Sequence, residues 1–198
     1  MNTWDQRFQT AEYVYGEQPN AFIKDYAHHL EGYSSIAAYA EGEGRNAVYL
    51  ASKGYDVTAY DYAKSGLQKT EHLAKKHLVS VHTVLADLLQ DKLPVNMYDA
   101  AIMVFGHFPM EQQWAVFQKI IDSVKPGGCI MMELYSIYQL PYGSGGPQQI
   151  NLLYNPLEVL QWCQAHKILH FFTGEQIRYE GMLHTGLAHT IQLIIQKS

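Results

Sequence analysis

Cysteine is scarce in this chain, 2 in 198 residues, and neither is placed to suggest a disulfide frame. Cys129 falls in an apolar run and Cys163 in a helical pattern, so both read as small core residues of a reducing compartment. Charge is also sparse: 17% of residues are charged and the formal net charge is −5, which gives no electrostatic ground to expect nucleic acid or an anionic membrane as partner. No apolar run approaches membrane-spanning length. The opening Met1-Asn2-Thr3-Trp4-Asp5-Gln6-Arg7 has no basic head leading into an apolar stretch, so no secretory signal is expected. The expectation is a soluble, cytoplasmic protein. The 10 histidines form no His-Glu-x-x-His and no Cys/His cluster at ligand spacing, so no metal site is expected. Internal repeats are absent too.

Apolar residues, in contrast, are plentiful at 47%, and 198 residues suffice for a full sheet covered by helices on both faces. The organising stretch is Ala40-Glu41-Gly42-Glu43-Gly44-Arg45-Asn46. Ser35 to Ala40 reads as a short buried strand, and Arg45 to Lys53 carries Ala47, Leu50 and Ala51 at helical spacing. Glycines at such a junction allow a tight turn and let a ligand lie against bare backbone at the helix start. A second strand, Tyr55 to Tyr60, ends in Asp61, about 20 residues after the glycines. At that separation a carboxylate at the strand tip can accept hydrogen bonds from ribose hydroxyls.

The alternation continues. Ala63, Leu67, Thr70, Ala74 and Leu78 trace one helix face, and Ser80 to Ala86 reads as a third strand that runs into Asp87-Leu88. Tyr98 to Phe105 is nearly continuous in apolar residues, as a central parallel strand should be, and leads to Gly106-His107. A helix through Trp114, Phe117, Ile121 and Val124 stops at Lys125-Pro126-Gly127-Gly128, and Cys129 to Leu134 is a fifth strand. Leu140 to Pro147 is turn-dense and is expected to form a functional loop at the mouth of the sheet. Asn155-Pro156-Leu157-Glu158 has the composition of a helix start. Leu169 to Arg178 and Ala188 to Gln196 read as two strands joined by Tyr179 to Leu187; with no crossover helix they should pair antiparallel.

Ahead of the first strand, Trp4 to Gln18 is rich in aromatics, and Pro19 is expected in the first turn of a helix that runs to Leu30. This segment either covers a sheet edge or closes over a ligand, with Tyr13 or Tyr15 facing it. The expected fold is α/β: a doubly wound, Rossmann-like sheet, mostly parallel with an antiparallel C-terminal pair. It occupies 1–198 as one domain, with 1–32 as a lid or cap and 33–198 as the core. Ligands of such sheets lie beyond the carboxyl ends of the strands, where Gly42, Gly44, Asp61, Asp87, Phe105 to His107 and Tyr135 converge. Gly42-x-Gly44-x-x-Ala47 also fits a dinucleotide fingerprint, so a nicotinamide-dependent oxidoreductase is one reading of the same residues.

The run from Ala40 to Ala51 resembles the cofactor loop of class I S-adenosylmethionine-dependent methyltransferases, in a small bacterial branch near the tellurite-resistance and thiopurine-type enzymes. Tyr13-x-Tyr15-Gly16-x-x-Pro19-Asn20, Gly145-Gly146-Pro147 and Glu180-Gly181-x-x-His184-x-Gly186 are similar to that branch as well. The resemblance implies S-adenosylmethionine as cofactor and a small-molecule methyl acceptor, such as a thiol or a chalcogen oxyanion. Gly42 and Gly44 would then approach the cofactor's amino-acid part, with Glu41, Glu43 and Asn46 also among the cofactor-binding residues. Asp61 would hold the ribose, Tyr62 would lie beside the adenine, Asp87 and Leu88 would hold the base, and Phe105 would stand near the methyl group. His107 and His184 are the candidates for a general base, and Tyr15, Tyr142 and Arg178 for the acceptor pocket. Two positions depart from the family pattern: Ala40 stands where the first glycine is usual, and Ala38 where an acidic residue is frequent. Either Glu41 or Glu43 could supply the missing carboxylate, and a cofactor-binding protein without catalysis is a further alternative.

Overall fold

The computed structural model describes residues 3–181 and 183–198. In chain order, helices α1 (Thr3–Arg7) and α2 (Ala21–Asp25) and a short 3-10 turn (Ala27–Leu30) precede strand β1 (Ser35–Tyr39). Then follow α3 (Arg45–Ser52), β2 (Asp56–Asp61), α4 (Lys64–Lys76), β3 (His82–Leu85), β4 (Tyr98–Val104), α5 (Met110–Ser123) and β5 (Val124–Tyr135). The chain ends with α6 (Pro156–Trp162) and the hairpin β6 (Lys167–Glu180) and β7 (His184–Gln196).

The strands form one seven-stranded sheet in the order β3-β2-β1-β4-β5-β7-β6. β1 pairs in parallel with both β2 and β4, and β4 with β5; β7 then runs antiparallel between β5 and β6. The order reverses between β1 and β4, so the connections after these two strands diverge and leave a crevice at their carboxyl ends. Burial on both faces explains the continuous apolar composition of β4 and β5. Ala101, Met103, Ile130, Met132 and Leu134 pack under α5 and α6 with Phe117 and Ile121. On the other face Ala100, Ile102, Cys129 and Met131 pack under α2 and α3 with Phe22, Ile23 and Leu50.

Four sequence expectations shift. Pro19 does not enter a helix: Asn20 is the N-cap of α2, its side chain accepting from the Ile23 N–H, and the segment breaks into α2 and the 3-10 turn at Tyr26. The hairpin strands run on through the stretch expected as a connection, with Arg178 opposite Gly186 and Glu180 opposite His184. Gly181 and Leu183 make the turn, and Met182 lies outside the described residues. Cross-strand pairing carries the polar residues there into the ladder. The Lys125 to Gly128 turn is absorbed into β5, where the register slips between Tyr98 and Ala100. Finally, the loop of 140–147 is pinned to the hairpin and does not open at the mouth. Ser144 Oγ donates to Leu187 O at 2.5 Å, and Gly145 and Gly146 lie so close to Tyr135 that a Cβ on either would sit 2.8 or 2.9 Å from its side chain.

Candidate active site

Between β1 and α3 the chain turns through left-handed backbone at Ala40 (φ +50°), Gly42 (φ +65°) and Gly44 (φ +89°). Gly44 is the N-cap of α3, and a Cβ there would meet the Thr70 side chain at 2.6 Å and its Cα at 2.7 Å. Its task is therefore close helix packing; it does not line the crevice. Ala40 keeps the conformation a glycine would take, and a methyl group in that region is disfavoured by about 1 kcal/mol.

The acidic residues around this turn are already engaged. Asp61, at the end of β2, accepts from Gly42 N through Oδ2 and from Ala63 N through Oδ1, each at 2.8 Å, so it shapes the turn it faces. Burial pushes its pKa up to about 6, against the pull of those N–H groups. Glu41 folds back on its own helix: its Oε1 accepts from Asn46 N at 2.8 Å and Ala47 N at 2.7 Å and caps α3. Burial raises its pKa to about 7. Glu43 pairs with Lys69 at 2.7 Å and accepts from Tyr15 N at 3.2 Å. Asp87 Oδ1 accepts from Leu89 N at 2.9 Å.

The other end of the crevice is aromatic. Phe105, held at φ +54°, stacks on Tyr135 at 4.3 Å and meets the edge of His184 at 4.8 Å. His184 also lies 4.4 Å from the Tyr15 ring, and His107 is stacked between Trp4 and Tyr135 at 6.2 and 6.0 Å. Among the described residues, Nδ1 of His107, Nδ1 of His184 and Oη of Tyr135 are buried without a hydrogen-bond partner. Burial lowers the His107 pKa to about 4 and that of His184 to about 2, with nearby arginine charge acting in the same direction. Both imidazoles are neutral at physiological pH.

The N-terminal segment covers the crevice. Trp4, Phe8 and Tyr15 all line it, and the Phe8 ring rests on Gly42. Asp5 ties α1 to the start of α4 through Ser65 N at 2.8 Å, Lys69 Nζ donates to Glu12 O at 2.6 Å, and Arg7 donates to the Tyr15 hydroxyl at 2.8 Å. Between lid and sheet lie about 1030 Å³ of space, the open mouth included.

Around that space the fold gathers Gly42, Asp61, Asp87 and Phe105 to His107 of the strand-end set, while Gly44 and Tyr135 do not line it; Tyr15, Glu41, Glu43, Asn46, Tyr62, Leu88 and His184 border it as well. Two residues expected in an acceptor pocket are elsewhere. Tyr142 donates to Glu175 at 2.6 Å on the surface. Arg178 points into the sheet, where it binds the carboxylate of Glu133, a fully buried residue of β5 that needs a counter-charge. Asn20 Nδ2 at 2.5 Å and Gln192 Nε2 at 2.8 Å complete the shell of Glu133. Trp4, Phe8, Arg45 and Phe108 also line the crevice and were not singled out from the sequence. The density of aromatics before Gly16 was the available signal for the first two.

Residues 36–128 match the family described as "Methyltransferase domain". Over that stretch, 93 of the 198 residues, the chain is similar to the methyltransferase family. Over 89 residues it is 27% identical to the probable S-adenosyl-L-methionine-dependent methyltransferase TehB of Haemophilus influenzae, a match that spans 44% of this chain and 31% of that protein. The crystal structure of the Haemophilus influenzae TehB superposes with a TM-score of 0.75 at 15% identity, covering 98% of this chain and 66% of that chain. The N-methyltransferase NodS of Bradyrhizobium japonicum, solved with S-adenosyl-l-homocysteine, gives 0.72 at 10% identity over 98% of this chain and 96% of its own. At these identities the structural likeness establishes the fold. No helix among the described residues is long and apolar enough to cross a membrane.

Proposed function

We propose that this chain is a methyltransferase that moves a methyl group from S-adenosylmethionine to a small-molecule acceptor with a soft nucleophilic atom, such as a thiol or a reduced chalcogen species. The observation that carries the reading is one covered crevice with two chemically different ends. Acidic strand ends at Asp61 and Asp87 lie on one side, and an aromatic wall of Tyr15, Phe105, His107 and His184 on the other. The residues fit the cofactor. Gly42 brings bare backbone to the crevice, Asp61 and Asp87 are carboxylates suited to sugar hydroxyls and a base amine, and Tyr62 and Leu88 offer apolar surface for a purine. When bound, S-adenosylmethionine supplies a methyl group already activated on sulfur.

What the chain adds is alignment and exclusion of water, worth up to roughly 7–11 kcal/mol in model reactions. The lid residues Trp4, Phe8 and Tyr15 exclude water, and aromatic faces favour a cationic sulfonium. The neutral His107 and His184 border the crevice beside Phe105, where they can shape the space for an acceptor. As imidazoles with lowered pKa values they are poor proton acceptors, which suits a nucleophile that arrives deprotonated. A crevice under a lid suits a small acceptor better than nucleic acid. We take the chain to act as one cytoplasmic domain.

Incubation with methyl-labelled S-adenosylmethionine and a panel of small thiols, hydrosulfide, amines, selenite and tellurite tests the proposal. Label is expected on a thiol or chalcogen acceptor. Retained binding of S-adenosylhomocysteine with no transfer to any member would favour a non-catalytic cofactor-binding protein.

A further inference from the structure

The short turn after β3 supplies Ala86, Asp87, Leu88 and Leu89 to the crevice. It is closed on itself: Asp87 O accepts from Gln90 N at 3.0 Å and Asp91 N at 2.7 Å, and Asp91 Oδ2 accepts from Asp87 N at 2.8 Å. A cation grips this turn from outside the crevice. Lys119, well inside α5, does not line the cavity, yet its ammonium donates to Leu88 O at 2.8 Å and Asp91 O at 3.0 Å, with a longer bond to Leu89 O at 3.4 Å. A lysine ammonium has three protons, so its donor capacity is spent on this one turn. Among the described residues it has no carboxylate within ion-pair distance. The Leu88–Leu89 peptide group links it to the site: the Leu88 carbonyl takes the ammonium, and the Leu89 N–H donates to Asp87 Oδ1 at 2.9 Å. A cation, a peptide dipole and a carboxylate thus stand in series, each bond polarising the next.

We infer that Lys119 is a positioning residue of the base subsite: through the Leu88–Leu89 peptide group it fixes the Asp87 carboxylate, and with it the preference for a purine that carries an exocyclic amine. The inference rests on the cofactor reading given above, in which Asp87 accepts from that amine. Asp87 is only partly buried, so packing alone does not hold its carboxylate in one orientation. The Leu89 N–H does, as long as its peptide group is kept from turning, and Lys119 holds the other end of that group. Leu88 is anchored differently: its side chain is buried in the core beneath α5 with Phe117 and Ile120. Loss of the ammonium should therefore spare the apolar wall of the subsite and affect the reading of the amine.

Two ligands separate this role from a purely structural one: S-adenosylhomocysteine and S-inosylhomocysteine, in which a carbonyl oxygen replaces the amine. Calorimetry on the full chain is expected to show wild type preferring the adenosyl ligand roughly 10- to 100-fold. Lys119→Met, which keeps an aliphatic stem, should cut that preference by at least about fivefold, while S-inosylhomocysteine binds within about threefold of wild type. Lys119→Arg, which keeps the charge and its donors, should retain a larger preference than Lys119→Met. In an Asp87→Ala background Lys119→Met should leave the preference unchanged, because the lysine acts on the amine through Asp87. Equal losses for both ligands would make Lys119 a strut only and overturn the inference, as would an unchanged preference in Lys119→Met or a further loss on top of Asp87→Ala. The comparison of ligands on wild type needs no variant: equal affinity with and without the amine also overturns it. Failure of wild type to bind either ligand would overturn it together with the cofactor reading.

Discussion

Arg45 and Glu180 meet at 2.6 Å across the seam between the glycine-bearing turn and the C-terminal hairpin, and both side chains are buried. The other oxygen of Glu180 accepts from Asn20 Nδ2 at 3.0 Å and Ala21 N at 3.1 Å, where the lid segment joins the core. One carboxylate therefore joins the lid, the cofactor turn and the strand opposite His184. Removing it leaves the Arg45 guanidinium buried and without its partner. Glu180→Ala is expected to destabilise the protein by about 3–5 kcal/mol, and Arg45→Met with Glu180→Leu to recover much of that loss. Urea denaturation of wild type and the two variants measures both numbers. A loss below about 1 kcal/mol for Glu180→Ala would show that the pair carries little.

Two substitutions at the turn should act in opposite directions. Gly44→Ala places a methyl group at positive φ and against Thr70, so a loss of about 2–4 kcal/mol and a lower melting temperature are expected. Ala40→Gly relieves a left-handed alanine and is expected to be neutral or stabilising by up to about 1 kcal/mol. Thermal melts of both variants check the signs.

Buried carboxylates give the ligand-free protein a specific pH response. Glu41 titrates near 7 in the folded chain against an ordinary 4.5, and Asp61 near 6 against 3.8, both raised by burial. A folded value above the unfolded one means the folded state holds the proton more tightly. The contribution to stability is complete below about pH 4 and is lost as pH rises through 6 to 7. His107 and His184 run the other way: their values, lowered from 6.5 to about 4 and about 2, add stability above pH 6.5 that is lost as pH falls through 4. Glu41→Gln isolates the first effect. It should match wild type near pH 4.5 and exceed it at pH 8 by on the order of 1–3 kcal/mol. A gap that does not change with pH would contradict the assignment.

The fold was largely legible because its signals are local. Buried strands such as Tyr98 to Val104 read as continuous apolar runs, and Asn155-Pro156 marks a helix start that the structure keeps, with the Asn155 side chain accepting from Leu157 N. The crevice could be anticipated because strand ends in a parallel sheet share one edge. Side-chain direction near the hairpin could not. Arg178 is pulled inward by Glu133, 45 residues earlier in the chain, a pairing that periodicity does not carry. Tyr142 belongs to a loop fixed by Ser144 and the glycines packed on Tyr135. The course of the N-terminal segment was not legible in sequence because its aromatics lack a period. Their common direction exists only once Asp5 and Lys69 have tied the segment over α4.

The central claim, an adenosyl cofactor in the crevice with its sugar at Asp61, is tested most directly by calorimetric titration of S-adenosylhomocysteine into wild type and Asp61→Ala, with NADH as the competing ligand. The account predicts saturable binding to wild type, roughly 10- to 100-fold weaker binding to Asp61→Ala, and no heat with NADH. An Asp61→Ala titration that overlays the wild-type curve, or binding of NADH in preference to S-adenosylhomocysteine, would contradict it.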